Sequence, residues 1–174
     1  CSALADVTLS KSLTRIDNWA FFNCTSLTSV NIPEGVTSIG GSVFAECASL
    51  ENVTLPETLT RIGLRAFQNC KKLSNVAIPK NVTTIEGSIF EGCSSLTSVT
   101  LPEKITSVPG GIFNGCRSLT SIVIPSTATA IGDSAFENCT SLTQVAIPEG
   151  VTSIQYGAFD SCSNLNAIAL PESL

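Results

Sequence analysis

Eight cysteines, Cys1, Cys24, Cys47, Cys70, Cys93, Cys116, Cys139 and Cys162, are the residues best able to do chemistry, and all are spaced by 23. Equal spacing decides which chemistry is open to them. Neighbours carried on stacked strands would lie about 5 Å apart, inside the Cα window of a disulfide. Yet one column places all eight side chains inward and parallel, and free cysteine is among the most buried residue types. The spacing therefore predicts a ladder of free thiols filling a core, without disulfides. Zinc through sulfur is not expected, since there is no C-x-x-C pair and no histidine to complete a tetrahedron.

The lack of histidine also removes the commonest general base and the Ser-His and Cys-His nucleophile systems. Carboxylates remain. Glu34, Glu57, Glu103, Glu149 and Glu172 share one column, which begins with Lys11 and is interrupted by Lys80 and Ser126. Stacked acids repel unless they are paired or spread in water, so this column reads as a solvated edge rather than a cation site. No enzyme activity, cofactor or metal is expected.

The elements that position these columns follow from the same period. Phe21, Phe44, Phe67, Phe90, Phe113, Phe136 and Phe159 form a second column, and Pro33, Pro56, Pro79, Pro102, Pro125, Pro148 and Pro171 a third. No insertion interrupts the eight units, so the chain is a tandem array in which each unit packs only on its neighbours. In the unit starting at Cys24, Val30 and Ile32 alternate with Ser29 and Asn31, the period-two pattern of a half-buried strand. The Val30 column is β-branched in every unit, as a pleated surface prefers. Stacked copies predict a continuous parallel sheet of eight strands, about 34 Å across at ~4.8 Å per strand.

Proline then fixes φ and withholds an amide, which suits a corner where the chain leaves the ladder. Val36-Thr37-Ser38-Ile39 reads as a second short strand. Its threonine column (Thr14, Thr37, Thr60, Thr83, Thr106, Thr129, Thr152) is expected to bond along the stack. A Gly-rich turn and the Ala-Phe-x-x-Cys segment, apolar at i, i+1 and i+4, predict one helical or 3₁₀ turn on the other side.

Composition narrows the function classes. The hydrophobic fraction is 43% and the mean hydropathy +0.34, but no apolar run approaches the roughly 18 residues of a membrane span. Net charge is −5, the wrong sign for a phosphate-backbone binder, so nucleic acid is not an expected partner. Five of the nine bases, Arg61, Arg65, Lys71, Lys72 and Lys80, fall within one repeat length and are expected to form a solvated surface. The last residue, Leu174, falls in mid-unit in an apolar column. Arrays of this kind carry polar caps, so residues 1–174 are expected to be one solenoid cut from a longer protein.

The pattern quoted from Cys24, Leu27, Val30, Ile32, Pro33, Val36, Thr37, Ile39 and Phe44, repeated through the chain, resembles the BspA-type leucine-rich repeat. The resemblance implies a bacterial or protozoan surface or secreted protein that adheres to host matrix proteins or cells. The column that holds an asparagine ladder in better-known leucine-rich repeats carries Ser12, Gly35, Thr58, Asn81, Lys104, Thr127, Gly150 and Ser173 here, so a flatter stack is expected.

The expected working surface is the outward face of the strands. Asn52, Asn75, Ser98, Thr100, Ser121 and Gln144 offer small hydrogen-bonding groups, and Val123, Ala146, Ala167 and Ala169 turn the C-terminal end apolar. Such a face suits broad contact with an extracellular protein or glycan, and it lacks the aromatic and arginine anchors of tight interfaces. The alternative is a structural spacer presenting another module. Trp19, Phe22 and Tyr156 are read as loop packing, and Ala128, small in a column of larger residues, predicts a core dent and local softness over 126–131.

Overall fold

The computed structural model describes residues 1–174 as a right-through stack of the 23-residue units, with two sets of short strands joined by turns. The strands are numbered in chain order. On the facing side lie β2 (Ser29–Asn31), β4 (Asn52–Thr54), β6 (Asn75–Ala77), β8 (Ser98–Thr100), β10 (Gln144–Ala146) and β12 (Ala167–Ala169). The second set comprises β1 (Arg15–Ile16), β3 (Ser38–Ile39), β5 (Arg61–Ile62), β7 (Thr84–Ile85), β9 (Ala130–Ile131) and β11 (Ser153–Ile154). All pairings are parallel and join residues one repeat apart, such as Val30 with Val53 and Ile39 with Ile62. The architecture is thus the expected parallel solenoid.

A single core runs its length. Phenylalanine rings from Phe21 to Phe159 stack face to face, with centroids 5.3 to 5.9 Å apart and interplanar angles of 4 to 21°. Beside them runs the expected thiol ladder. Cys24 to Cys162 are buried and all eight cysteines are free, with Cys1 exposed at the start. Each thiol from Cys47 onward donates to the carbonyl oxygen of the phenylalanine in the preceding unit, as Cys93 does to Phe67 at 3.1 Å. A small weak donor therefore serves a buried carbonyl. No polar residue is buried.

The turns between the strand sets differ from the expectation of a helical or 3₁₀ turn, because the structure contains no helix. Alternate amides there donate outward to the next unit instead of back along the chain: Phe44 N–H to Ala66, Glu46 to Gln68, Phe67 to Ile89. The backbone reason is a pair of left-handed residues four apart in each turn. Ser42 and Glu46 have φ of 52° and 63°, Arg65 and Asn69 of 57° and 58°, and Gly111 and Gly115 of 63° and 75°. Two positive φ values per turn interrupt any right-handed helix.

The facing strands also differ from the expected continuous sheet. They form three two-stranded ladders, β2 with β4, β6 with β8 and β10 with β12, and Ser121–Val123 belongs to none of them. A three-residue strand has few ladder bonds to lose. Between the fifth and sixth units the Thr120 amide reaches Thr97 only at 3.5 Å, against 2.9 Å for Thr97 to Ser74.

The second strand set breaks once, and here the cause is visible in the sequence. The sheet β1-β3-β5-β7 ends at Ile85, and pairing resumes at Val108, which bridges to Ile131. In the flanking units the residue after the strand donates to the preceding unit: Gly40 to Ile16, Gly63 to Ile39, Glu86 to Ile62 and Gly132 to Val108. The fifth unit has Pro109 at that position, with no amide to offer Ile85. The threonine column lapses at the same seam. Thr37, Thr60, Thr83, Thr129 and Thr152 hydroxyls each donate to the threonine carbonyl one unit back, as expected, but Thr106 does not reach Thr83.

Ala128 is fully buried, and its amide closes the proline corner at 3.0 Å like Leu59 and Val82 in their units. The corner geometry therefore survives the smaller side chain.

Candidate functional site

The strand face is assembled by alternation: β-branched Val76, Val99, Ile122 and Val145 turn inward, so residues on either side of each turn outward. Asn52, Asn75, Ser98, Thr100, Ser121, Val123, Gln144, Ala146, Ala167 and Ala169 are all exposed, as the alternation requires. The structure divides them into two groups. Ser121, Val123, Gln144, Ala146, Ala167 and Ala169 line one shallow depression of about 390 Å³, floored in part by Ile122 and Val145. Asn52, Asn75, Ser98 and Thr100 lie further toward the N-terminus and outside it.

The depression arises from side-chain size. In the outer column Thr100 and Val123 are followed by Ala146 and Ala169, and in the neighbouring column Ser121 and Gln144 are followed by Ala167. The alanines leave a hollow beside the larger Val123 and Gln144. Val123 is 73% exposed, an unusual state for a β-branched apolar side chain, and no charged group lines the hollow. The N-terminal part of the face is more self-satisfied. Ser98 donates to Asn75 Oδ1 at 3.0 Å, and the Thr97 hydroxyl approaches the same oxygen at 3.3 Å.

The acidic column is exposed along its length, and three of its carboxylates also bond the next unit. Glu34 accepts the Glu57 amide at 3.4 Å, Glu103 the Ser126 amide at 3.1 Å and Glu149 the Glu172 amide at 3.3 Å. These carboxylates cap the corner of the following unit. All five glutamates are exposed, as a solvated edge requires, and a carboxylate one repeat from a corner N–H adds a charge-assisted bond to that role. Sequence reasoning missed this because the capping partner lies 23 residues away.

The cysteine column is chemically quiet. Burial pushes the Cys47 thiol from an ordinary 9.0 up to about 11, and it holds Cys70, Cys93 and Cys116 well above the ordinary value. Neighbouring thiols in the column raise those of Cys70, Cys93 and Cys116 further. A thiol kept protonated in this way is a poor nucleophile.

The five bases read from the sequence as a solvated surface are all exposed, and two of them are paired. Arg61 pairs with Glu86, and Lys72 with Glu51 at 3.1 Å. The aromatics expected to pack in loops do not: Trp19 is 64% exposed, Tyr156 is 89% exposed, and Phe22 is also exposed. Trp19 takes one of the left-handed turn positions, with φ of 57°.

A stack of parallel strands with leucine, β-branched and phenylalanine columns inside, and short polar residues on one open face, defines a leucine-rich repeat solenoid. The chain belongs to the BspA type leucine rich repeat family, whose model matches in 6 copies over residues 1–120 and 106–174. Among solved structures it is similar to the T. pallidum leucine rich repeat protein, at 32% identity and a TM-score of 0.85 over 88% of this chain and 72% of that one. It is also similar to a leucine rich cell surface protein from Faecalibacterium prausnitzii, at 29% identity and a TM-score of 0.53 over 97% of this chain and 66% of that one. The pneumococcal vaccine antigen PcpA shares the fold, at 24% identity and a TM-score of 0.67, over 93% of this chain and 44% of that one. No curated protein matches the chain.

Proposed function

We propose that this array is a non-enzymatic, macromolecule-binding segment of a bacterial cell-surface or secreted protein, and that it holds an extracellular protein or glycan on its strand face. Contact centres on the hollow between Val123 and Gln144. The observation that carries the reading is the exposure of Val123 beside Ala146, Ala167 and Ala169 in a depression without charge. An exposed apolar patch rimmed by polar groups gains by being covered. Serine, asparagine and threonine along the rest of the face add hydrogen-bonding positions with little rotamer freedom to lose, which suits broad contact of modest affinity.

Placement outside the cell is supported by the description of the F. prausnitzii neighbour as a cell surface protein. A surface location also fits a scaffold that repeats one unit lengthwise and so offers many contacts to one partner.

The test is substitution of charge into the hollow. Val123→Glu with Ala146→Glu should weaken binding to immobilised extracellular matrix proteins and glycans at least tenfold while leaving the fold intact. A spacer would tolerate both changes with no loss of adhesion, and that result would sink the proposal.

A further inference from the structure

A second hollow lies on another edge of the solenoid, where the turn leads back into the facing strand, and it shares no residue with the first. It is lined by Asn69, Lys71, Gly92, Ser94, Gly115 and Arg117, has a volume of about 310 Å³ and contains no apolar side chain. We propose that this notch binds an oxyanion, the sulfate, phosphate or carboxylate group of a ligand, between Lys71 and Arg117.

The notch follows from two columns read together. The second left-handed position of each turn carries a side chain in Asn23, Glu46, Asn69, Asn138 and Ser161, but is glycine in the two consecutive units between, at Gly92 and Gly115. The two missing side chains open the space. The column two residues on reads Thr25, Ala48, Lys71, Ser94, Arg117, Thr140 and Ser163, so its only two cations flank this glycine pair, with a serine between them.

Neither cation is spent elsewhere. The chain's ion pairs are Arg15 with Asp17, Arg61 with Glu86 and Lys72 with Glu51. Lys71 and Arg117 sit two units apart, about 10 Å at the strand spacing, close enough for their long stems to converge on one group from opposite sides. Of the carboxylates in the columns beside the notch, Glu46 accepts from Asn69 Nδ2 at 2.7 Å and Glu137 accepts from Asn114 Nδ2 at 3.1 Å and Asn138 Nδ2 at 3.3 Å, while Glu91 pairs with neither cation.

The donors available to the anion are side chains. The Gly92 and Gly115 amides already donate to Asn114 and Glu137 of the following units. The ammonium of Lys71 and the guanidinium of Arg117 supply the charge, and charge-assisted bonds of this type are the strong ones. Ser94 bonds the Lys71 carbonyl only at 3.5 Å, so its hydroxyl is held weakly and can turn to the ligand. This site is independent of the strand-face reading.

The experiment is an amide-resolved NMR titration of the whole chain with sodium sulfate, sodium phosphate and sodium acetate, with ionic strength held constant by chloride. Saturable shifts concentrated at Gly92, Ser94, Gly115 and Arg117 are expected with at least one of the three, and the strongest one identifies the ligand chemistry. Lys71→Ala with Arg117→Ala should weaken the response at least tenfold. So should Gly115→Asn, which keeps both cations but fills the notch. That variant is built to fold: Asn23, Asn69 and Asn138 hold φ of 57°, 58° and 59° in the same column, and a Cβ at Gly115 meets Gly92 at an ordinary 3.6 Å. Shifts that never saturate, that spread over every lysine and arginine alike, or that persist in a folded Gly115→Asn variant would overturn the proposal.

Discussion

Replacing Phe90 by alanine tests the physical basis of the array most sharply. Phe90 is fully buried and is stacked on both sides, on Phe67 at 5.7 Å and on Phe113 at 5.9 Å. Removing such a ring costs about 3–5 kcal/mol, and the two lost stacking contacts place it at the upper end, near 4–5 kcal/mol. Each unit touches only its neighbours, so the loss falls entirely on the central interfaces. It also falls beside the seam where Pro109 offers no amide to Ile85. The two halves should then unfold separately. Trp19, the only tryptophan, reports the N-terminal half by fluorescence, and circular dichroism reports the whole chain. In urea the two signals should coincide for the parent protein and diverge for Phe90→Ala. Phe159→Ala, half-buried and stacked on Phe136 alone at 5.3 Å, should cost about half as much and leave the signals coincident. Coincident transitions in Phe90→Ala, with a loss below about 1 kcal/mol, would refute nearest-neighbour stacking as the source of stability.

Three further outcomes are expected. Gly92→Ala should destabilise by about 1–3 kcal/mol, because alanine is strained at φ +72° and its Cβ would lie 2.1 Å from Asn69 Oδ1, on an amide held by Glu46, whereas Gly115→Asn should cost less than about 1 kcal/mol in the same urea assay, since asparagine tolerates a left-handed backbone. The raised thiol values set a pH window. The Cys47 thiol ionises near 9.0 when unfolded and near 11 when folded, so its contribution is fully present below pH 9 and is lost as pH rises toward 11. Urea midpoints should be flat from neutral pH to about pH 9 and fall above it, and at pH 8 an alkylating reagent should modify only Cys1 without denaturant. Finally, hydrogen exchange should be faster at Thr106 and Ser107 than at Thr60, Arg61, Thr83 and Thr84, whose amides bond the preceding unit.

The fold was legible where chemistry repeated in one column. Cysteine, phenylalanine and proline mark the same three positions in nearly every unit, and the structure places them as thiol ladder, ring stack and corner. The turn was misread as helical because its left-handed positions are poorly signposted. Glycine holds such a position at Gly92, Gly111, Gly115 and Gly157, but Trp19, Glu46 and Arg65 hold others, and nothing local announces a positive φ at those residues. The break falls at Pro109, a lone proline in a column of Gly40, Gly63, Glu86, Gly132 and Gln155. Its consequence needed the knowledge that the same column donates to the preceding strand. For the candidate face, alternation alone named the exposed residues. That Val123 and Gln144 share one hollow with three alanines depends on side-chain size across units, which a linear sequence does not display.

The central claim, that the strand face is a binding surface, is met most directly by a titration of the folded array against immobilised extracellular matrix proteins and glycans at two salt concentrations. Alongside it should run Val123→Glu with Ala146→Glu, and a triple variant Asn75→Glu, Ser98→Glu and Ser121→Glu. Saturable binding that changes little with salt and is lost in the Val123 variant is the expected result, as the hollow carries no charge. Undiminished binding by both variants, or no binding by the folded parent, would contradict it.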